Sequence, residues 1–374
     1  MQFPNKLTSK LNQRKESNSL RQLGAHINLI DFSSNDYLGF SNSEIIFNKT
    51  HQLLTDNKLL INGATGSRLL SGNHKLYNQV EKQLSDTHNS EAVLIFNSGY
   101  DANIGFFSSV PQRNDIVVYD EFIHASIRDG IKLSNAKSYK FKHNDLNHLD
   151  ELLKRIKHEN AEVYIVTESV FSMDGDSPDL FKMSEISQKH NAHLIIDEAH
   201  AIGVFNNGLV QELNLENHVF ARIITFGKAL GCHGAAILGF TSLKQYLINF
   251  SRSFIYTTGL PPHSLATIKM AYNELSNSKA TKELHENIRF FKQEANRLNL
   301  NFIKSNSAIH CCIISGNEKV KLIAKKLNTK GFDVKPILSP TVTKEQERLR
   351  FCLHAYNSKK EITEVLENLA IFVN

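Results

Sequence analysis

The sequence predicts an α/β protein. It should have a large domain on a mostly parallel central sheet and a smaller α+β domain at the C-terminus. Three observations lead there. First, from about residue 60 to 260, short apolar and largely β-branched runs recur along the chain. Nearly continuous apolar runs are how strands buried on both faces of a parallel sheet read. Second, helical patterns such as Leu76–Leu84 and Leu149–Ile156 fall between some of these runs, the alternation of a doubly wound fold. Third, the pattern changes near residue 280 to long charged helices alternating with short strands.

The expected strands of the large domain are Ala92–Phe96, Asp115–Tyr119, Glu162–Thr167, Ala192–Ile196, Arg222–Phe226 and Ala235–Phe240. Ahead of them, residues 5–21 are polar and read as a short amphipathic helix, and Ile30–Gly39 reads as strand and loop. After them come helices Lys282–Leu298, Lys319–Lys330 and Lys360–Phe372, with strands Ile309–Ile314, Val334–Leu338 and Leu349–Leu353. The expected bounds are 1–45 for an N-terminal helix and strand segment, 46–275 for the large α/β domain and 276–374 for the small one.

The bulk numbers exclude several classes. Of 374 residues, 41% are hydrophobic, ordinary for a globular chain long enough for two packed cores. Lys plus Arg number 43 and Asp plus Glu 38. This small surplus is spread along the chain, with no basic run interleaved with aromatics, so nucleic acid is not a suggested partner. Cys232, Cys311, Cys312 and Cys352 form no C-x-x-C pair, which suggests reduced buried thiols and no metal site. The start lacks an apolar signal region and no stretch approaches a membrane span, so a cytoplasmic location is expected.

The chemistry-bearing residues cluster at strand ends. Asp197, in Asp197-Glu198-Ala199-His200, closes an apolar strand, where ligands bind in open α/β sheets. A carboxylate beside a buried run needs a cationic or hydrogen-bonding partner, and a pyridinium nitrogen would serve. His200 is placed to reach the ring oxygen of such a group. The plain alternatives are an Asp that caps a helix and a D-E-A-H nucleotide site. The chain has no G-x-x-x-x-G-K-[ST] phosphate loop, which disfavours the latter. Lys228 closes the next strand along the chain, flanked by Gly227 and Gly231. Alone it would read as a turn lysine. Paired with Asp197 it reads as a Schiff-base candidate, since desolvation favours the free amine. Thr225 is placed to hold a phosphate. In Phe96–Asn103, a small-residue turn with Gly99 and Tyr100 follows a strand and opens a helix, and helix N-termini bind phosphate. His124 is one of 17 histidines and stands out by following a strand end in the same half of the sheet.

Together these motifs resemble the α-oxoamine synthases, enzymes of the aspartate-aminotransferase fold type (fold type I) that use pyridoxal 5'-phosphate (PLP). The matching segments run in the family's order: Ser33–Gly39, Gly63–Asn73, Phe96–Asn103, His124–Ser126, Phe141–Asp145, Thr167–Asp176, Asp197–His200, Thr225–Lys228 and Ile255–Thr258. They span nearly the whole chain, and the Thr167–Asp176 string with the Asp197 and Lys228 motifs is specific.

The resemblance implies roles for individual residues. Lys228 matches the Schiff-base lysine, Asp197 the partner of the pyridine nitrogen and His200 the partner of the ring oxygen. His124 matches the histidine stacked on the ring, with Lys228 and Asp197 making up the catalytic set. Gly99, Tyr100, Ser172 and Thr225 match cofactor contacts. Thr257 or Thr258 would reach the phosphate of a neighbouring subunit, implying a homodimer with shared sites. Arg21, Asn35, Thr341 and Arg350 match substrate-side positions, with Arg350 binding the amino-acid carboxylate through its guanidinium fork. The link between Arg21 and Asn35 is shorter than is usual in the family. The implied reaction is a decarboxylative condensation of an amino acid with an acyl thioester, most like L-alanine with a pimeloyl thioester carried on CoA or an acyl carrier protein. Glycine with acetyl-CoA, or simple transamination, are the alternatives.

Overall fold

The computed structural model describes residues 3–21, 23, 28–156 and 160–373. The chain divides into two compact units, Asn35–Ser172 with Ser177–Lys282, and Met1–Ser34 with Met173–Asp176 and Glu283–Asn374.

The first unit is built on a seven-stranded sheet. Its strands are β1 (Ala92–Phe96), β2 (Ile116–Asp120), β3 (Lys137–Phe141), β4 (Val163–Glu168), β5 (His193–Asp197), β6 (Ala221–Thr225) and β7 (Ala235–Gly239). They lie in the order β1-β7-β6-β5-β4-β2-β3. The pairings from β6 through to β3 are parallel, while β7 runs antiparallel to both of its neighbours. Six of the strands fall within a residue or so of the apolar runs that predict them. β3, Lys-Ser-Tyr-Lys-Phe, has no such run: it is an edge strand exposed along most of its length. Lysines at a sheet edge discourage pairing with other chains, and the same lysines hide the strand from an apolar pattern.

Burial on both sheet faces explains the near-continuous apolar character. Val117, Val166, Ile195 and Ile223 pack with Phe106, Phe107 and Ile127 on one face. Their strand neighbours Ile116, Val118, Ile165, Leu194 and Ile196 pack with Leu149, Leu153 and Met183 on the other. Successive side chains point to opposite faces, so a strand covered on both sides has no solvent-facing positions to fill with polar residues. Helices α1 (Gly99–Ser109) and α2 (Ala125–Leu133) cover the first face.

The second unit carries an antiparallel three-stranded sheet, ordered Lys335–Ile337, Arg348–Cys352, Ile309–Ile313. Ile30–Asp31 pairs in parallel with Phe332–Asp333. Phe32 packs against Phe332 and Phe351, which fixes the N-terminal strand onto this unit. The Ser305 and Ser307 hydroxyls both donate to the Gly175 carbonyl at 2.8 Å. Arg348 pairs with buried Asp174, anchoring the short Met173–Asp176 excursion. The polar N-terminal helix ends at Glu16. Among the described residues, no helix is long and apolar enough to cross a membrane.

Candidate active site

The parallel strands deliver their C-terminal ends to one edge of the sheet. Glu168 and Asp197 lie side by side in register at the ends of β4 and β5. At the end of β6, Thr225 pairs with Ala235, which pairs in turn with Phe96 at the end of β1. The loops that follow carry Lys228, His124, Ser98 and Gly99. This edge is where the sequence places its candidates.

Asp197 is 5% exposed. One carboxylate oxygen accepts the Ala199 N–H at 2.9 Å and the other accepts the Asn103 amide at 3.0 Å. Asn103 comes from the second turn of α1, and its Nδ2 also lies 3.0 Å from Ser126 Oγ. Ser126 in turn sits 2.7 Å from His124 Nδ1. His200 is buried, with Nδ1 2.7 Å from the Tyr37 hydroxyl, which also donates to Asn35 Oδ1 at 3.1 Å.

Lys228 is half-buried in the turn between β6 and β7. Three backbone bonds hold that turn: Cys232 N–H to the Phe226 carbonyl, Phe226 N–H to the Gly234 carbonyl, and Gly231 N–H to the Lys228 carbonyl. Gly231 has φ +60°, and a Cβ there would lie 2.2 Å from the Ser41 nitrogen, so only glycine fits.

Charge at this edge is unbalanced. Burial pushes the Glu168 carboxyl up to about 8, and the Asp197 charge adds to that, while Lys228 and the His124 N–H pull it back down. His124 is exposed as a residue. Its pKa nevertheless falls below 6.5, first because of the protein packed around the ring, then through Lys228, against the opposing pull of Asp197 and Asp129.

A phosphate cradle is visible beside these groups. Ser98 caps α1, its hydroxyl accepting the Asp101 N–H. Gly99 opens the helix, and a Cβ on it would meet Thr225 Cγ2 at 2.7 Å. The Thr225 hydroxyl is buried with no hydrogen-bond partner. A buried hydroxyl without a partner, next to a helix N-terminus and a lysine, suits an anionic ligand.

The other candidates are distributed as follows. Tyr100 is exposed and donates to Asp129 at 2.9 Å. Asn97 binds the segment of Thr257 and Thr258, its amide 2.9 Å from Thr257 Oγ1 and 2.6 Å from the Thr258 carbonyl. Ser172 is half-buried just after β4. Arg21, Thr341 and Arg350 belong to the second unit. There Arg21 donates to Thr341 Oγ1 at 3.4 Å, and Arg350, 8% exposed, donates to Cys352 Sγ at 2.9 Å.

Asn103, Ser126, Tyr37 and Glu168 are the site residues that motif reading did not single out. All four lie inside or beside the motifs, but nothing in a linear string distinguishes an asparagine that bonds a distant carboxylate from one that caps a turn. For Glu168 a signal existed: a glutamate closing a largely apolar, β-branched strand.

The chain belongs to the aminotransferase class I and II family, whose model matches residues 27–369. It is an enzyme of this PLP-dependent fold. Among curated relatives, 8-amino-7-oxononanoate synthase of Emericella nidulans is 39% identical over 92% of this chain and 89% of its own. Among solved structures, serine palmitoyltransferase of Sphingomonas wittichii superposes with TM-score 0.91 at 25% identity, covering 100% of this chain and 98% of that one. The 8-amino-7-oxononanoate synthase of Francisella tularensis gives TM-score 0.79 at 29% identity, covering 92% and 98%.

Proposed function

We propose that the protein condenses L-alanine with a pimeloyl thioester, on CoA or an acyl carrier protein, giving 8-amino-7-oxononanoate, CO2 and the free thiol. The observation that carries this reading is the convergence of Lys228, Asp197, His124 and His200 on one sheet edge, beside the partnerless Thr225 hydroxyl. Relatives named for this activity over most of the chain support the choice of reaction.

The residues fit PLP. Asp197, its orientation fixed by Ala199 and Asn103, would hold the protonated pyridine nitrogen. His200, oriented by Tyr37, would bond the ring oxygen. Gly99, Tyr100, Ser172 and Thr225 would hold the remaining polar groups, with the phosphate at the α1 N-terminus. When bound, PLP supplies an electron sink that makes the amino-acid α-carbon acidic.

The chain's own groups do the rest. Lys228 Nζ would hold the cofactor's carbonyl carbon and would serve as the base that takes the amino-acid α-proton. Asp197 would hold the proton on the ring nitrogen. His124 donates a hydrogen bond to the acyl carbonyl oxygen as charge develops there. Arg350 binds the amino-acid carboxylate, and Arg21, Asn35 and Thr341 serve the substrates. Thr257 and Thr258 serve the phosphate of a second subunit. A homodimer is part of this reading, and Leu60, Ile61, Leu69, Leu70 and Tyr256 are exposed apolar side chains of the first unit.

The test is thiol release with alanine, glycine or serine against pimeloyl-CoA, a pimeloyl carrier protein and acetyl-CoA. Alanine with a pimeloyl thioester should be preferred. Preference for glycine with acetyl-CoA, or conversion of alanine to pyruvate without thiol release, would overturn the assignment.

A further inference from the structure

The Asn103–Ser126–His124 chain fixes more than position. Asp197 Oδ2 accepts hydrogen bonds, so the Asn103 side-chain nitrogen, not its oxygen, faces it at 3.0 Å. The same NH2 group lies 3.0 Å from Ser126 Oγ, and donating to both uses its two hydrogens. Ser126 Oγ therefore accepts from Asn103, and its own hydrogen is left for His124 Nδ1 at 2.7 Å. A second donor reaches the same nitrogen. His124 is the N-cap of α2, and its Nδ1 accepts the Ser126 backbone N–H at 3.2 Å. That donor cannot rotate away. A hydrogen on Nδ1 would point at an N–H and at the positive end of a helix.

We propose that Asn103 and Ser126 are positioning residues that lock His124 as the neutral Nε2–H tautomer, so that the ring offers the acyl substrate a hydrogen-bond donor and not a base. This deepens the proposed function and rests on its placing of His124 at the reaction centre. Asn103 and Ser126 are 2% and 0% exposed, so solvent does not compete for their hydrogen bonds. The charged groups that face the ring are Asp197 from the end of β5, Lys228 from the turn after β6 and Asp129 from α2. Tyr100 of α1 bonds Asp129, and Glu168 at the end of β4 meets the His124 backbone N–H. The two aspartates favour an imidazolium. The packing around the ring and Lys228 disfavour it, and the net shift is downward. The lock therefore acts in the same direction as the electrostatics.

The experiment is ring-nitrogen NMR on the full chain, labelled with 15N-histidine and loaded with PLP. The His124 signals are assigned by their loss in His124→Asn. The wild-type protein should show, at neutral pH, an unprotonated Nδ1 and a protonated Nε2. An Nδ1–H tautomer, or an imidazolium, would overturn the proposal whatever the activity. Ser126→Ala removes the hydroxyl donor and leaves only the longer backbone contact. Its His124 should protonate about tenfold more easily, a midpoint higher by about one pH unit, the size of one lost hydrogen bond. The acid limb of thiol release should move with it. An unchanged midpoint in Ser126→Ala also overturns the proposal. Full activity in His124→Asn would instead sink the catalytic role given to His124 and leave the tautomer standing, so the two failures are told apart.

Discussion

Replacing Glu168 by glutamine should stabilise the cofactor-free protein, and by more as the pH rises. Glu168 is 3% exposed and sits next to Asp197. One of its carboxyl oxygens is buried without a partner. Burial and the Asp197 charge push the folded-state pKa from 4.5 up to about 8. Between those two values the folded protein holds a proton that the unfolded chain has released. Folding then takes up a proton, so stability falls as pH rises through the window, and above about pH 8 the loss is complete. The slope for one proton is about 1.4 kcal/mol per pH unit, flattening near the folded-state pKa, so the interval from about pH 6 to about pH 8 carries about 2 kcal/mol. Glutamine has nearly the same volume and does not titrate, so Glu168→Gln escapes this loss. Thermal denaturation of both proteins at the two pH values should show the gap in Tm widening by about 3 to 5 °C in favour of the variant. A gap that is the same at both pH values would mean that Glu168 is ionised in the fold, and the reasoning about its burial would be wrong.

Four further outcomes are expected. Lys228→Ala should lose the visible absorption band of lysine-bound PLP, and thiol release should fall by about a thousandfold or more. Thr225→Val removes a buried hydroxyl that has no partner. The cofactor-free variant should therefore be as stable as wild type, or more so by about 1 kcal/mol, while PLP affinity by fluorescence titration drops about tenfold. Gly99→Ala places a methyl 2.7 Å from Thr225 Cγ2, and the same titration should show PLP binding weakened by about tenfold or more, as the helix start is pushed off the cradle. Arg350→Gln should raise the KM for the amino acid by about tenfold or more with little change in the KM for the thioester, because a neutral amide cannot replace a charge-assisted fork.

The strands that carry the site were legible because burial on both faces leaves a nearly pure apolar string, and six of the seven large-sheet strands show it. The seventh, Lys137–Phe141, was not legible: an exposed edge strand places lysines where a buried one places valines. Strand direction was not legible either. The antiparallel run of β7 follows from the tight Lys228 turn and its three backbone bonds, and a string of apolar residues reads the same in both directions. The N-terminal helix was read through to residue 21 but ends at Glu16, where polar residues no longer distinguish helix from loop.

For the site, the sequence by itself determined which residue types stand at the strand ends: Lys228, Asp197, His200, His124 and the Ser98-Gly99 turn. Residue identity and spacing from a strand are linear properties, and the motifs record them. The tertiary structure alone decided what those residues bond to. It brought Asn103 from the second turn of a helix to a carboxylate 94 positions later. It set Glu168 beside Asp197 in a dry edge where one proton cannot easily leave, and it left the Thr225 hydroxyl without a partner. Hydrogen-bond direction and desolvation depend on which atoms share a few cubic ångströms, and that is settled only when the chain packs.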